Sequence, residues 1–299
     1  MVAYVVEHLD DVFVSGDRSL AGKDLMSPYV WRENGDYRML FRVVSDPLRR
    51  DEPTGVIAAA TSRDGLHFTL DPDLAIEPDA DPAAEDAGGC EDPTVVIGRK
   101  GRYLVFYTGV EAAREQACLM VAAGESLDRL VKQEVMIKAP PGEGNIKEAT
   151  LVRCSSGEWR LFYEYAKDRA SRIGIARGPN LDGPWEALPD PFTIRENLWD
   201  NWHLSTGPVI QLPGLDPVMF YNGATIDARW RIGWISFDVD FTRVTGRGLE
   251  PVLVPPPPVQ RMADDIAFAA STVLEDDLIA LYFSIEDRML RRALIRAYP

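Results

Sequence analysis

Leu40-Phe41-Arg42, Phe106-Tyr107-Thr108, Phe162-Tyr163-Glu164, Phe220-Tyr221-Asn222 and Tyr282-Phe283-Ser284 are five occurrences of one pattern in a chain of 299 residues. Two large apolar residues stand together, the second always aromatic, and a polar residue that changes each time follows. A repeat that keeps its apolar pair and varies the neighbour is one supersecondary unit used several times. Working outward, a strand precedes each pair: Pro28-Tyr29-Val30-Trp31, Pro93-Thr94-Val95-Val96-Ile97, Ala149-Thr150-Leu151-Val152, Pro208-Val209-Ile210 and Ala270-Ser271-Thr272-Val273. Turns such as Glu33-Asn34-Gly35-Asp36, Arg99-Lys100-Gly101 and Ser155-Ser156-Gly157 join these strands to the pair. A third strand follows, as in Val56-Ile57-Ala58-Ala59-Ala60 and Arg172-Ile173-Gly174-Ile175-Ala176. Loops carrying Asp64-Gly65 or Asp182-Gly183 then lead to a short fourth strand.

The units begin near residues 28, 93, 149, 207 and 270, in steps of 65, 56, 58 and 63. Convincing amphipathic helical runs are scarce. Four short strands repeated five times predict an all-β fold, a five-bladed β-propeller with four-stranded antiparallel blades, in a single domain over residues 1–299. Pro255-Pro256-Pro257-Pro258 reads as an extended connector between the fourth and fifth units. The fifth unit leaves little room for a fourth strand, and the segment around Asp11-Val12-Phe13-Val14 is expected to supply it and close the ring.

Composition narrows the function. Thirty-two Lys and Arg against 47 Asp and Glu leave a net charge of −15, which argues against a nucleic-acid partner because phosphate binding needs clustered cations. No apolar run approaches the ~20 residues of a membrane-spanning helix. The N-terminus lacks the basic and apolar regions of a signal peptide. Cys90, Cys118 and Cys154 are odd in number and have no metal-ligand spacing, so a reduced, cytoplasmic setting and roles as core fillers are expected.

In a propeller the first strand of each blade lies nearest the axis, so residues just before those strands converge. They are Ser27, Glu91-Asp92, Lys147-Glu148, Ser205-Thr206-Gly207 and Asp264-Asp265. The polar residues closing the repeats, Arg42, Thr108, Glu164, Asn222 and Ser284, occupy equivalent places and form a second candidate ring. The result is a pocket rich in carboxylates, with Arg42 and Lys147 as counter-charges. Paired carboxylates suit glycoside hydrolysis, where one protonates the leaving oxygen and the other activates water. Trp199, Trp202, Tyr165 and Tyr221 are at hand to stack on sugar faces. Simpler readings compete. Asp92 before proline caps turns, Glu148 beside Lys147 makes a solvated ion pair, and His203 beside Trp202 packs. Glu164, set between two tyrosines, is harder to explain without a partner or a task.

The run Glu91-Asp92-Pro93-Thr94, followed by Gly101-Arg102-Tyr103-Leu104-Val105-Phe106-Tyr107-Thr108, resembles the Glu-Asp-Pro-Arg signature of glycoside hydrolase family 130, the β-mannoside phosphorylases and β-mannosidases. Ala60 to Phe68, Lys147-Glu148-Ala149, Gly207-Pro208-Val209, Tyr221-Asn222-Gly223 and Arg231-Ile232-Gly233 resemble further segments of that family in the same order, so the similarity spans about residues 25 to 290. It implies a five-bladed propeller, an inverting reaction on mannosides or mannose-containing oligosaccharides, and no metal or organic cofactor. It places the acid on Asp92, with the proton relayed through a sugar hydroxyl. The family's phosphate-holding cations are depleted here: Thr94 stands where the signature has Arg, Glu164 where a basic residue ends the third-blade strand, and Asn222 where the family has His. That favours water over phosphate as the attacking species, with Glu164 or Glu148 as base. Arg42, Glu91, Lys147, His203, Asn222 and Asp265 are the expected substrate-binding set. A phosphorylase with an altered phosphate site and a silent carbohydrate-binding propeller are the alternatives.

Overall fold

The computed structural model describes residues 2–16, 20–46, 49, 51–98, 101–139, 144–256 and 265–298. Arg99, Lys100, Pro257, Pro258 and Asp264, used above in a turn, a connector and a candidate site, lie outside the described residues. Among the described residues the named elements are all strands but for a turn of 3-10 helix at Leu127–Arg129.

Strand β1 (Ala3–Asp11) comes first, then β2 (Phe13–Ser15). The first repeat unit is β3 (Lys23–Glu33), β4 (Asp36–Ser45), β5 (Val56–Ser62) and β6 (His67–Ile76). The second is β7 (Gly89–Ile97), β8 (Tyr103–Val110), β9 (Ala117–Gly124) and β10 (Val131–Lys138). The third is β11 (Ile146–Arg153), β12 (Trp159–Lys167), β13 (Ala170–Gly178) and β14 (Glu186–Leu188). In the fourth, each long strand is broken into two pieces. They form β15 (His203–Ser205), β16 (Val209–Ile210), β17 (Val218–Met219), β18 (Asn222–Ala224), β19 (Trp230–Ile232), β20 (Ile235–Phe237) and β21 (Val244–Arg247). The fifth is β22 (Ala267–Glu275), β23 (Leu278–Ile285) and β24 (Met289–Tyr298).

The second and third units are four-stranded antiparallel meanders, as expected. Two units depart from that pattern. β2 adds to the first unit in parallel beside β6, giving five strands, and the fourth unit divides into a three-stranded and a four-stranded sheet. The division falls at Gly207-Pro208, where proline removes a ladder donor and a Cβ on Gly207 would lie 1.9 Å from the Phe220 carbonyl oxygen. The closing strand also differs. It is β1, pairing from Ala3 opposite Tyr298 to Asp11 opposite Arg291, whereas Phe13 and Val14 go to the first unit.

The packing explains the repeat. Five hydrophobic clusters each lie between two successive units, the last joining the fifth unit to the first. In every unit the first residue of the apolar pair faces the following unit and the second faces the preceding one. Leu40 packs with Val95 and Tyr107, while Phe41 packs with Val273 and Tyr282. Phe220 packs with Phe283, while Tyr221 packs with Phe162. A sheet covered on both faces needs adjacent large apolar residues, because neighbours on a strand point oppositely.

Hydrogen bonds stitch the same ring. Tyr29 donates to the Val95 carbonyl (3.1 Å), Thr94 to Ala149 (2.6 Å), Thr150 to Gly207 (2.9 Å), Asn222 to Ala269 (3.2 Å) and Ser271 to Pro28 (2.7 Å). Each runs from one unit to the next and the last returns to the first. At about 1 kcal/mol apiece they add less than the apolar clusters, but they fix the relative heights of the inner strands.

Candidate active site

In the first three units the residues expected just before the first strands lie inside them. In each of the first three units the inner strand carries a bulge: register slips between Met26 and Tyr29, between Glu91 and Thr94, and between Lys147 and Ala149. Ser27, Asp92 and Glu148 occupy those slips with φ of 52°, 51° and 50°. Non-glycine residues seldom adopt this left-handed conformation, and the same departure three times at one structural position marks a constrained site. Bulges re-aim side chains, and here they bring together groups from neighbouring units. The Ser27 hydroxyl donates to Asp92 Oδ1 at 2.7 Å. The Glu148 amide donates to Thr108 Oγ1 at 3.2 Å.

Glu91 is the electrostatic hub. Its carboxylate is almost fully buried, with Arg42 Nη2 at 2.7 Å from Oε1 and Lys147 Nζ at 3.2 Å from Oε2. Burial alone would raise its pKa, but Arg42 and Lys147 outweigh burial and hold it below the ordinary 4.5. Arg42 also grips the Thr54 carbonyl through Nε (3.2 Å) and Nη2 (2.7 Å). The guanidinium lies close over Gly55, where a Cβ would come within 2.7 Å of Nε. Lys147 is kept cationic against burial by Glu91, Asp92 and Glu164 together.

Three more carboxylates share this space. Glu148 and Glu164 are partly exposed, and Asp92 is nearly buried. The Glu148 pKa is pushed well above 4.5 by burial and then by the charges of Asp92 and Glu164, and its carboxyl is hydrogen-bonded to Asp92. Burial and two nearby carboxylates together favour the protonated form of Glu148. The Glu164 pKa is raised by burial, opposed by Ser205, Lys147 and Ser171. Ser171 Oγ donates to Glu164 Oε1 at 2.9 Å, and the Ser171 amide donates to His203 Nδ1 at 3.1 Å. Ser205 Oγ has no well-formed hydrogen bond among the described residues, yet lies near enough to favour ionised Glu164. His203 is held neutral by burial and by Arg172, and packs against Trp230 with ring centroids 5.3 Å apart.

These shifts carry a testable sign. Between 4.5 and the raised folded value, unfolded Glu148 is ionised while the folded residue keeps its proton, so stability falls as pH rises through that window. Glu148→Gln is expected to relieve this cost. Its thermal midpoint should exceed that of the native protein at neutral and alkaline pH, by on the order of 2 °C per kcal/mol relieved, with the gap closing as pH falls toward 4.5. Thermal unfolding across pH checks it; a midpoint lowered at every pH would remove the proton-sharing pair.

Several nominated residues do other work. Asn222 is fully buried, donating to the Thr206 and Ala269 carbonyls (2.8 and 3.2 Å) and accepting from the Ala269 amide (2.7 Å), so it is a clasp between the fourth and fifth units rather than a sugar contact. Thr108 and Ser284 of the second candidate ring are likewise buried. Tyr221 is buried, and its hydroxyl donates to Asp200 at 2.6 Å; Trp199 stacks on its ring. Asp265 pairs with Arg229 at 2.9 Å. Cys90, Cys118 and Cys154 are buried and free. Among the described residues no group of three or more His, Cys, Asp or Glu is arranged to hold a metal ion, and no helix is long and apolar enough to cross a membrane. Ser171 and Thr54, which support Glu164 and Arg42, carry no motif. Ser171 follows a hairpin tip in which Asp168 and Arg169 both have positive φ, a turn readable from Lys167-Asp168-Arg169, but nothing in it points to Glu164.

No family profile matches the sequence, and no curated protein matches it. Solved structures do. A β-1,2-mannobiose phosphorylase from Listeria innocua, in complex with β-1,2-mannobiose, superposes with a TM-score of 0.75 at 20% identity, covering 92% of this chain and 90% of that one. A structure from the GH130 family of mannoside phosphorylases, which contains glycoside hydrolases that target β-1,2 mannosidic linkages in Candida mannan, gives 0.75 at 21% identity over 91% and 84%. A mannose phosphorylase from Leishmania mexicana, in complex with phosphate ion, gives 0.68 at 14% identity over 96% and 88%. The chain has the fold of these proteins.

Proposed function

We propose that the chain is a glycosidase of the family 130 type, a five-bladed propeller that hydrolyses mannosides or mannose-containing oligosaccharides with inversion. The observation that carries this reading is the charge around the bulges. Among the described residues Glu91, Asp92, Glu148 and Glu164 face Arg42 and Lys147 as their cations, so the site stays negative even with one proton on Glu148. An opposing unit charge 4 Å away is worth about 4 kcal/mol at an effective dielectric of 20, and inorganic phosphate entering here meets more carboxylate than cation. Water meets no such barrier.

The Asp92–Glu148 pair is the acid unit, since burial and the neighbouring carboxylates favour the protonated form of Glu148. Glu148 passes its proton to Asp92 across their hydrogen bond, and Asp92 delivers it to the leaving oxygen, through a sugar hydroxyl as the family resemblance implies. Glu164, poised by burial and oriented by Ser171, takes a proton from the water that attacks the anomeric carbon from the opposite side. The glycosidic bond breaks, one water is consumed, and exchange with solvent returns the protons. Arg42, Lys147 and Glu91 hold the acid unit in place and hydrogen-bond the sugar.

The competing reading, a phosphorylase, has its support in the activity named for two of the structurally similar proteins. Release of reducing sugar from a panel of β-mannosides, with and without inorganic phosphate, separates the two. Phosphate-independent release that is lost in Glu164→Gln is the expected result. Release only with phosphate would make the protein a phosphorylase, and binding without release would make it a carbohydrate-binding propeller.

A further inference from the structure

A second site is built at the other end of the same two units. The inner strands β7 and β11 start near Asp92 and Glu148 and run away from them, so five residues on, at Ile97 and Arg153, the chain is about 17 Å distant at strand rise. There a cavity of about 630 Å³ opens between the second and third units, lined by Arg102, Arg153, Trp159, Asn180, Leu181 and Asp182 among others. Its two arginines come from different sheets. Among the described residues neither has a carboxylate partner, and Asp182 on the same wall has no cation. Among the described residues Arg153 is held by a long bond from Nε to the Gly157 carbonyl, at 3.5 Å. Nearby arginines contrast with them: Arg160 pairs with Glu158 at 3.3 Å and Arg177 with Glu186 at 2.8 Å. In a chain of net charge −15, a concave patch with two unneutralised guanidiniums against one carboxylate is a local reversal of sign, which draws anions.

Charge is one half of the recognition. The other is Trp159, partly exposed at the cavity wall, whose ring suits the apolar face of a sugar as much as the edge of any flat ligand. Asn180 and Asp182 supply acceptors for hydroxyls, and Leu181 closes the apolar side. We propose that this cavity is a second binding site, for a sugar ring bearing a carboxylate or phosphate group, separate from the candidate active site. Arg102 and Arg153 take the anionic group, Trp159 the ring face, and Asp182 with Asn180 the hydroxyls. The site stands whether or not the central carboxylates hydrolyse mannosides.

Isothermal titration of the intact protein with D-glucuronate, a hexose phosphate, D-glucose and inorganic phosphate tests it. Binding of at least one charged sugar is expected, at least tenfold tighter than D-glucose and than inorganic phosphate; which charged sugar binds identifies the group. That binding should weaken at least tenfold in the double variant Arg102→Gln/Arg153→Gln and in Trp159→Ala, and persist in Asp92→Asn. Both arginines are exposed, so the double variant should keep the native thermal midpoint. Equal binding of D-glucose or of bare phosphate, loss of binding in Asp92→Asn alone, or no binding of any probe would overturn the proposal.

Discussion

Asp92→Asn is expected to lower kcat/KM on a cleaved mannoside by about 10²–10⁴-fold, the usual worth of a positioned general acid, while leaving the fold intact. The side chain keeps its shape, and an amide oxygen still accepts the hydrogen bond that Ser27 donates to Asp92 Oδ1 at 2.7 Å. The substitution also removes a negative charge that helps raise the Glu148 pKa. The residual activity should therefore show Glu148 titrating at lower pH than in the native enzyme. A variant as active as the native protein would move the acid elsewhere. A variant that loses activity because it unfolds would show in its circular dichroism, and Asp92→Glu then distinguishes a lost proton donor from a lost strut.

Glu91→Gln is expected to destabilise the protein by about 3–5 kcal/mol, the range for removing one partner of a buried ion pair. Arg42 and Lys147 converge on this single buried carboxylate, and a neutral amide takes the direct ion-pair contact from both cations. The sign with pH is fixed. The folded pKa of Glu91 lies below the unfolded 4.5, so its contribution is complete above 4.5 and lost as pH falls through the folded value. Urea unfolding at neutral pH should show the full loss, and the difference between native and variant should shrink in acid. An unchanged urea midpoint would mean that solvent already screens these groups.

The architecture was legible because its cause is local. Each sheet is buried on both faces, and two adjacent large side chains, Phe106-Tyr107 or Phe220-Tyr221, are the direct signature of that burial. The convergence of Glu91, Asp92, Lys147 and Glu148 was legible for the same reason, since they hold equivalent places in neighbouring repeats. How they converge was not. Ser27 and Asp92 each precede proline, a position biased toward extended backbone, yet both take a positive φ inside a bulge. Asn222 was misread because its sequence neighbourhood matches a sugar contact, while its role depends on Ala269, 47 residues away. A further pairing stayed hidden for want of a motif. Tyr107 and Tyr221 each donate to a buried aspartate 21 residues upstream, Asp86 and Asp200. Cations then neutralise those aspartates, Lys132 on Asp86 and Arg195 with Arg247 on Asp200.

The pairing of β1 with β24 sets the order in which the protein can be finished. Synthesis is vectorial, and β1 leaves the ribosome long before the strand that will cover it. Until Met289–Tyr298 emerges, Ala3–Asp11 has no strand to pair with, and the cluster between the fourth and fifth units, in which Tyr4 packs with Phe283 and Ile295, cannot be sealed. The first four units can pack as they appear, but the circuit of hydrogen bonds between units closes only when Ser271 donates to the Pro28 carbonyl. A nascent chain halted before Met289 would thus hold its first four units and still be open.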